Sequence, residues 1–283
     1  MALNPIVVVI APGEMGAAVG GRLHESGVEV RTSLAGRSAK SIERAKRHGL
    51  VPVDNDAELV ADAQFVLSIV PPADAVALAR RLAPALAKSR TKPIYVDCNA
   101  VSPATVVEVA AALRSAGSPF VDAGIIGSPP QPGSAGPRFY ACGPAAARFG
   151  ELRERGIDIH VMDGDIGTAS ALKMAYASLT KGLTALGTAM MLAATQAGVA
   201  DALKRELADS QPMLKAWLER SVPRMYPKAY RWVAEMEEIA AFLGDRSRGA
   251  EIFEGVARLY DRIARSYDGD RRDIDALGGF VEG

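Results

Sequence analysis

Cysteine is almost missing from this chain. Cys98 and Cys142 are the only two among 283 residues, too few for a disulfide framework, so a reducing cytoplasm is the expected setting. Histidine is scarce as well: His24, His48 and His160 stand far apart, no group of side chains has metal-ligand spacing, and no metal is expected. Neither sign of charge is in excess. Lys plus Arg and Asp plus Glu number 33 each, which removes the global field that draws a protein to nucleic acid or to an anionic membrane and points to a small-molecule partner. The apolar run from Ile6 to Ala11 is short and has no basic leader, so it does not read as a signal peptide. Internal repeats, a G-x-S-x-G elbow and a P-loop are also lacking.

Charge is missing altogether from Gly182 to Ala200, a stretch long enough to span a bilayer. It holds three Thr, one Gln and three Gly, and no other segment could span with it. A helix apolar on every side is also what a buried core helix looks like, and that is the reading adopted. A helical domain of roughly 120 residues is too small to cover such a helix alone, so a second copy of the chain is expected against it as a homodimer.

What the chain does contain is an ordered alternation. A length prior of about 150 residues per domain suggests two domains, and composition changes after Gly164, which divides 1–164 from 165–283. Ile6 to Ile10 is an unbroken β-branched run suited to a strand buried on both faces. Ala11-Pro12-Gly13-Glu14-Met15-Gly16 follows, then a helical pattern through Leu23. Strand, glycine turn and helix are the setting a dinucleotide fingerprint requires. Gly13 would let the backbone approach a pyrophosphate, and Gly16 would let helix and strand pack closely with the helix N–H groups aimed at the phosphates. Ala11 occupies the first glycine position of that pattern.

The second strand runs about Val28 to Leu34. An NAD site usually carries a carboxylate at this strand's end; here the chain reads Ala35-Gly36-Arg37-Ser38-Ala39-Lys40. A guanidinium forks onto a phosphate and a hydroxyl can donate to it, so Arg37 and Ser38 suit the 2′-phosphate of NADP better than NAD. The plainer alternative is that Arg37, with Arg44, Lys46 and Arg47 on the following helix, forms an ordinary solvated face.

Further strands are expected at Phe65 to Val70 and Pro93 to Asp97, with helices at Ala73 to Leu86 and, behind Ser102 as N-cap, Pro103 to Leu113. Repeated βαβ units imply a doubly wound parallel sheet of the α/β class whose ligands sit beyond the carboxyl ends of the strands. Val70 and Pro71 would then border the nicotinamide ribose, and Asn99, with both a donor and an acceptor, would meet the substrate near the reacting carbon; capping or turn formation is its plainer role. Phe120 to Pro130 leads into a Gly/Pro-rich loop ending at Gly136, whose backbone N–H groups could bind a carboxylate but which, without a neighbouring site, reads as a long hairpin-like connection. Strands at Arg138 to Cys142 and Ile157 to Met162 then flank a helix from Ala145 to Arg155.

After Asp165 helical periodicity dominates to about residue 268. The chain from Gly167 to about Gly198 has no proline, allowing one helix of roughly 32 residues and ~48 Å. Ala177, Thr180, Thr184 and Gly187 fall within about 40° of Lys173 on it. A lysine on so small and apolar a face needs a purpose or a partner, or else snorkels from a helix end. Shorter helices are expected at about 201–208, 212–220, 229–242 and 251–267.

In combination these residues resemble the β-hydroxyacid dehydrogenase superfamily, which groups 3-hydroxyisobutyrate and 6-phosphogluconate dehydrogenases with imine reductases. The carriers are Gly13-x-Met15-Gly16; Arg37-Ser38, similar to the Asn-Arg-Ser/Thr of NADP-preferring members; Asp97-Cys98-Asn99, where the family has Asp-x-Ser-Thr; Asp122-Ala123 leading to Gly127; and Gly167-x-Ala169-x-x-x-Lys173, similar to Gly-x-Gly-x-x-x-Lys. The C-terminal half resembles a less characterised subgroup. The resemblance implies a Rossmann domain, a helical domain built on the long helix, a dimer, hydride exchange at NADP and proton exchange at Lys173. Burial among Ala169, Leu172 and Ala177 would lower the lysine's pKa toward neutrality. Asn99, Ser128, Tyr176 and Thr180 are the candidate substrate-orienting residues. The usual Asn one turn after the lysine is Ala177, Ser-Gly-Gly has become Ile126-Gly127-Ser128, and Asn99-Ala100 replaces Ser-Thr. These changes imply a substrate bulkier or less polar than hydroxyisobutyrate. Imine reduction on the same scaffold and a non-catalytic NADP-binding sensor are the alternatives.

Overall fold

The β-branched run at the N-terminus forms the strand around which the first half is assembled, β1 (Ile6–Ile10), four of whose five residues are buried. The computed structural model describes residues 5–244 and 248–281. After β1 come α1 (Glu14–Glu25), β2 (Glu29–Thr32), α2 (Ala39–Arg47), the two-residue β3 (Val51–Pro52), α3 (Asp56–Val60) and β4 (Phe65–Ser68). A 3-10 turn over Pro72–Asp74 leads into α4 (Ala75–Lys88), then β5 (Ile94–Asp97), α5 (Pro103–Ala112), β6 (Phe120–Ile126), β7 (Arg138–Cys142), α6 (Ala146–Phe149) and β8 (Asp158–Val161). Ser102 caps α5 as expected, its Oγ accepting from the Thr105 N–H at 3.2 Å.

The eight strands lie in the order β3-β2-β1-β4-β5-β6-β7-β8. β1 to β6 are parallel, and the order reverses at β1, between β2 and β4, where a doubly wound sheet places its ligand crevice. One feature departs from a wholly parallel sheet. β7 runs antiparallel to β6, and β8 runs parallel to β7, so the last two strands point the other way. Residues 127–137 contain no helix, and without a crossover element a strand can return beside its predecessor only in the opposite sense. Apolar cores fill both faces of the sheet, one including Val7, Val9, Leu23 and Phe139, the other Val8, Ile10, Leu82 and Tyr95.

Packing divides the chain into two units, Met1–Lys173 and Met174–Gly283. The division falls inside α7 (Thr168–Gln196), whose first residues belong with the sheet. Freedom from proline lets α7 run 29 residues. It ends where Gly198 takes φ +73° and the N–H groups of Gly198 and Val199 bond back to Thr195 O and Ala194 O, a Schellman closure.

The second unit adds α8 (Ala200–Ser210), α9 (Pro212–Met225), α10 (Ala229–Leu243), α11 (Gly249–Asp268) and α12 (Arg272–Val281). α9 continues through Pro223 beyond the expected end at Arg220, carried by buried Leu218, Val222 and Met225. α12 lies past the limit at which sequence periodicity was readable. The unit's interior holds an ion pair: Lys181 Nζ donates to Glu235 Oε2, with side chains only 14% and 15% exposed. The ammonium also sits 4.7 Å over the Trp232 ring, and the Tyr260 hydroxyl donates to Lys181 O at 2.5 Å. Burial pushes the Lys181 pKa down, and Glu235 opposes that shift. No helix among the described residues is long and apolar enough to cross a membrane.

On α7 the large apolar side chains Tyr176, Leu179, Leu183, Leu186 and Met190 are exposed, between 40% and 76%. They recur at alternating intervals of three and four residues, which lines them along one stripe of the helix.

Candidate functional site

The sheet unit gathers its candidate residues at the carboxyl ends of β1, β2, β4, β5 and β6. At the end of β1, Gly13 is the N-cap of α1 and offers no side-chain cap, and a helix N-terminus of this kind suits a phosphate. A Cβ on Gly13 would have no protein atom within 4 Å. Gly16 is the opposite case: a Cβ there would stand 2.0 Å from Ala11 O. This is the close helix–strand approach that the last glycine of a dinucleotide fingerprint permits. Glu14 is exposed on the first turn, and Met15 packs partly buried against the core. Gly16→Ala is expected to lower stability by about 1–3 kcal/mol and to weaken NADPH binding by about tenfold or more. Thermal unfolding and NADPH fluorescence titration read the two effects, and wild-type values in both would refute the packing role.

Arg37 stands partly buried just past β2, in a turn where Gly36 has φ +69° and the Arg37 N–H bonds to Leu34 O at 3.1 Å. Ser38 is the N-cap of α2, accepting from the Ser41 N–H at 3.3 Å. Its hydroxyl is therefore engaged within the chain. Arg44, which reads from sequence as part of a solvated face, reaches back so that Nη1 donates to Pro12 O at 3.4 Å inside the fingerprint loop. One helical turn of spacing within a basic stretch gave no sign of this, because the contact joins residues 32 apart. Together the N-terminus of α1, the open space at Gly13 and the guanidinium of Arg37 fit the phosphates of a dinucleotide.

Asn99 is 3% exposed and fully engaged in the frame. Its Oδ1 accepts from the Val70 N–H at 2.7 Å, and Nδ2 donates to Ser68 Oγ and Asp97 Oδ2 at 2.8 Å each. Its own N–H donates to Asp97 Oδ1 at 3.0 Å. Both amide hydrogens and one acceptor site are thus used to tie the end of β4 to the end of β5. Asn99 holds the Val70-Pro71 turn in place, and a substrate would find only one remaining lone pair. Ser128 is exposed on the connection after β6. That connection is pinned to α1 by Arg22, whose Nη2 donates to Gln131 O and Ser134 O at 3.2 and 3.1 Å.

Lys173 closes the sheet unit. It is partly buried, with Nζ donating to Ile125 O at 2.6 Å near the carboxyl end of β6. Of the neighbours expected to desolvate it, Ala169 and Ala177 are buried and Leu172 is half-buried. Gly124 lets α7 come this close, for its missing Cβ would lie 3.0 Å from both Ala169 O and Lys173 Cβ. Tyr176 and Thr180 lie further along α7, in the second unit. Tyr176 is 48% exposed, and the Thr180 hydroxyl donates to Tyr176 O at 3.0 Å, so its proton is already committed.

Two buried groups at this edge escaped the sequence reading as working parts. Asp122 on β6 is 0% exposed. Its Oδ2 accepts from the N–H groups of Gly167 and Ser170, at 2.8 and 3.1 Å, and its Oδ1 accepts from Ser170 Oγ at 2.7 Å. Cys142 on β7 accepts at Sγ from the Ala169 N–H at 3.3 Å, and Sγ lies 3.1 Å from Asp165 O and 3.4 Å from Asp122 Oδ2. Burial, and then the Asp122 charge, push this thiol's pKa up to about 11, so it stays protonated and inert as a nucleophile.

The comparisons with known proteins agree with this geometry. Residues 7–154 match the model of the NAD binding domain of 6-phosphogluconate dehydrogenase, and residues 194–263 match a domain of unknown function. An uncharacterised 28.5 kDa protein of Methanothermus fervidus is 30% identical over 184 residues, covering 65% of this chain and 69% of that protein. A solved conserved protein of unknown function, described as structurally similar to 3-hydroxyacid dehydrogenases, is 30% identical, with 94% of this chain and 98% of that one covered at a TM-score of 0.67. At the level of fold alone, 3-hydroxyisobutyrate dehydrogenase of Mycobacterium tuberculosis aligns at TM-score 0.70, with 18% identity and 97% and 99% of the two chains covered. An imine reductase of Myxococcus stipitatus in complex with NADP+ aligns at TM-score 0.56, with 19% identity over 96% and 95%.

Proposed function

We propose, from the premise that this chain belongs to the β-hydroxyacid dehydrogenase family and carries its NAD(P)-binding domain ahead of a divergent C-terminal domain, that it is an NADP-dependent oxidoreductase. Its substrate pair is an alcohol and the corresponding carbonyl on a small organic acid or related compound, and Lys173 is the general acid/base. The observation that carries this is the placement of the Lys173 amine, bonded to Ile125 O at the same strand ends that present the Gly13–Gly16 turn.

The nicotinamide, when bound, supplies and accepts the hydride. The first turn of α1 and Gly13 would hold the pyrophosphate and Arg37 and Ser38 the 2′-phosphate, with Arg44 tied to the fingerprint loop at Pro12 O. Val70 and Pro71, fixed by Asn99, border the nicotinamide ribose. In the reducing direction Lys173, as ammonium, donates a proton to the developing alkoxide; in the oxidising direction, as amine, it accepts one. With Asn99 spent on its neighbours, Ser128 is the candidate hydroxyl that the first unit keeps exposed to orient a substrate. That favours a compound with fewer polar groups than hydroxyisobutyrate.

Turnover of a panel of 3-hydroxy acids, related alcohols and their carbonyl forms with NADP+ or NADPH tests the reaction. Reduction of cyclic imines without any turnover of hydroxy or carbonyl compounds would replace it with imine reduction, and NADPH binding without turnover of either class would leave a sensor. For the cofactor, Arg37→Ala is expected to weaken NADPH by about 1.5–3 kcal/mol, about tenfold to a hundredfold, and NADH by far less. Equal losses for the two would remove the 2′-phosphate assignment.

The proposed assembly is a homodimer in a reducing cytoplasm, built on the exposed stripe of α7 from Tyr176 to Met190. Light scattering at micromolar concentration should give twice the 29.7 kDa chain mass, and a monomer would sink it.

A further inference from the structure

We infer that Asp122 and Cys142 are positioning residues for Lys173: a two-strand clamp on the first turn of α7 that sets where the lysine amine stands. This rests on Lys173 being the proton-transfer group.

The N-cap of α7, Gly167, has no side chain with which to close the helix, and four N–H groups there need acceptors. All four find one outside the helix. Gly167 and Ser170 donate to Asp122 Oδ2, Ala169 to Cys142 Sγ, and Thr168 to Asp165 O at 3.1 Å. Two of the three acceptor groups are side chains from neighbouring antiparallel strands, and they are register partners, Asp122 facing Cys142.

Lys173 lies three residues beyond Ser170 and four beyond Ala169, so it shares their face of the helix. β6 then meets that face at three successive points. Asp122 grips Gly167 and Ser170, Gly124 admits Ala169 O and Lys173 Cβ, and Ile125 O receives Lys173 Nζ. Asp122 and Gly124 point to the same side of the strand because side chains alternate along it. The register of helix on strand is therefore set at the clamp and read out at the amine. A helix free to slip by one residue would turn Lys173 by about 100° away from Ile125.

The thiol suits this place because a sulfur accepts the Ala169 N–H while its own proton faces Asp165 O or Asp122. Valine is apolar, about a methyl group larger than cysteine, and accepts nothing, whereas serine keeps an acceptor. Cys142→Val and Asp122→Asn should alter the labelling rate of Lys173 by a small amine-reactive probe such as acetic anhydride, read by peptide mass spectrometry, by about threefold or more, roughly half a pKa unit's worth of reactive amine. Exposed Lys40 serves as internal control and should not change. Cys142→Ser should return Lys173 to within about twofold of the wild-type rate, since the acceptor is retained. NADPH affinity should stay unchanged in every variant that folds.

A change in melting temperature with no change in Lys173 labelling would show that the two residues only stabilise the fold, and would overturn the inference. If the variants do not fold, wild-type hydrogen exchange decides. The Ala169 and Ser170 amides should be protected as strongly as those of β6, and exchange as fast as at a frayed helix end would refute the clamp. Because labelling and exchange need no substrate, loss of the dehydrogenase reading would appear separately, as NADPH binding without turnover.

Discussion

Lys173→Met is expected to lower kcat by about 10²- to 10⁴-fold, the usual worth of a positioned general acid or base, while leaving NADPH affinity within about twofold. Methionine keeps the length and most of the apolar contact of the lysine stem and removes the amine, with its charge, its exchangeable proton and its bond to Ile125 O. The amine donates to Ile125 O at 2.6 Å, a bond an ammonium or a neutral amine can make, so either protonation state can occupy the same place. Lys173→Arg separates charge from proton exchange, because a guanidinium does not deprotonate in a protein. It should lose the oxidation reaction at least as severely as the methionine variant. The measurement is steady-state turnover in both directions with NADPH titration alongside. Unchanged kcat in Lys173→Met with a true substrate would end the assignment.

In the second unit, Lys181→Met is expected to destabilise the protein by about 3–5 kcal/mol, because it leaves the Glu235 carboxylate in an apolar setting without its ammonium partner. The Trp232 face loses its cation as well. Replacing both members, Lys181→Met with Glu235→Leu, should recover most of that loss and bring stability to within about 1.5 kcal/mol of wild type. Urea unfolding of the two single variants and the double variant gives the coupling energy directly. Additive losses would mean the pair is not energetically coupled. A double variant that recovers stability but binds α7 to α10 less specifically, seen as a shallower urea slope, would assign the pair to register.

Much of the fold was legible because it is written in short-range pattern. The β-branched run at Ile6–Ile10, the glycine turn at Gly13–Gly16 and the proline-free stretch before Gly198 each specify an element through neighbours no more than a few residues apart. Strand β7 was readable to the residue, Arg138–Cys142, and its direction followed from the Gly/Pro-rich connection ahead of it, read as hairpin-like. Alternation of side chains is the same in both senses, and only the missing crossover helix decides it.

The candidate site was legible in a different proportion. Lys173 and the fingerprint glycines stood out because their types are unusual in those positions. Asn99 was visible as a chemical inventory, a donor and an acceptor at a strand end, but its partners Ser68, Asp97 and Val70 come together only once β4 and β5 are paired. Ser38 and Thr180 likewise carry hydroxyls suited to a ligand, and both turn out to serve the backbone of their own helices.

By itself, then, the sequence determined most of the strands and helices, though not β3, α3 or α12, together with the dinucleotide turn and the presence of a lysine on a long helix, since each depends on local periodicity and the conformational limits of Gly and Pro. Tertiary structure alone decided the pairing of β8 beside β7, the reach of Arg44 to Pro12 and the closure of α7 by Asp122 and Cys142. These are hydrogen bonds and pairings between residues from 20 to 48 positions apart. No local propensity reports them, because the acceptor that satisfies a helix end can come from any strand that the folded sheet places beside it.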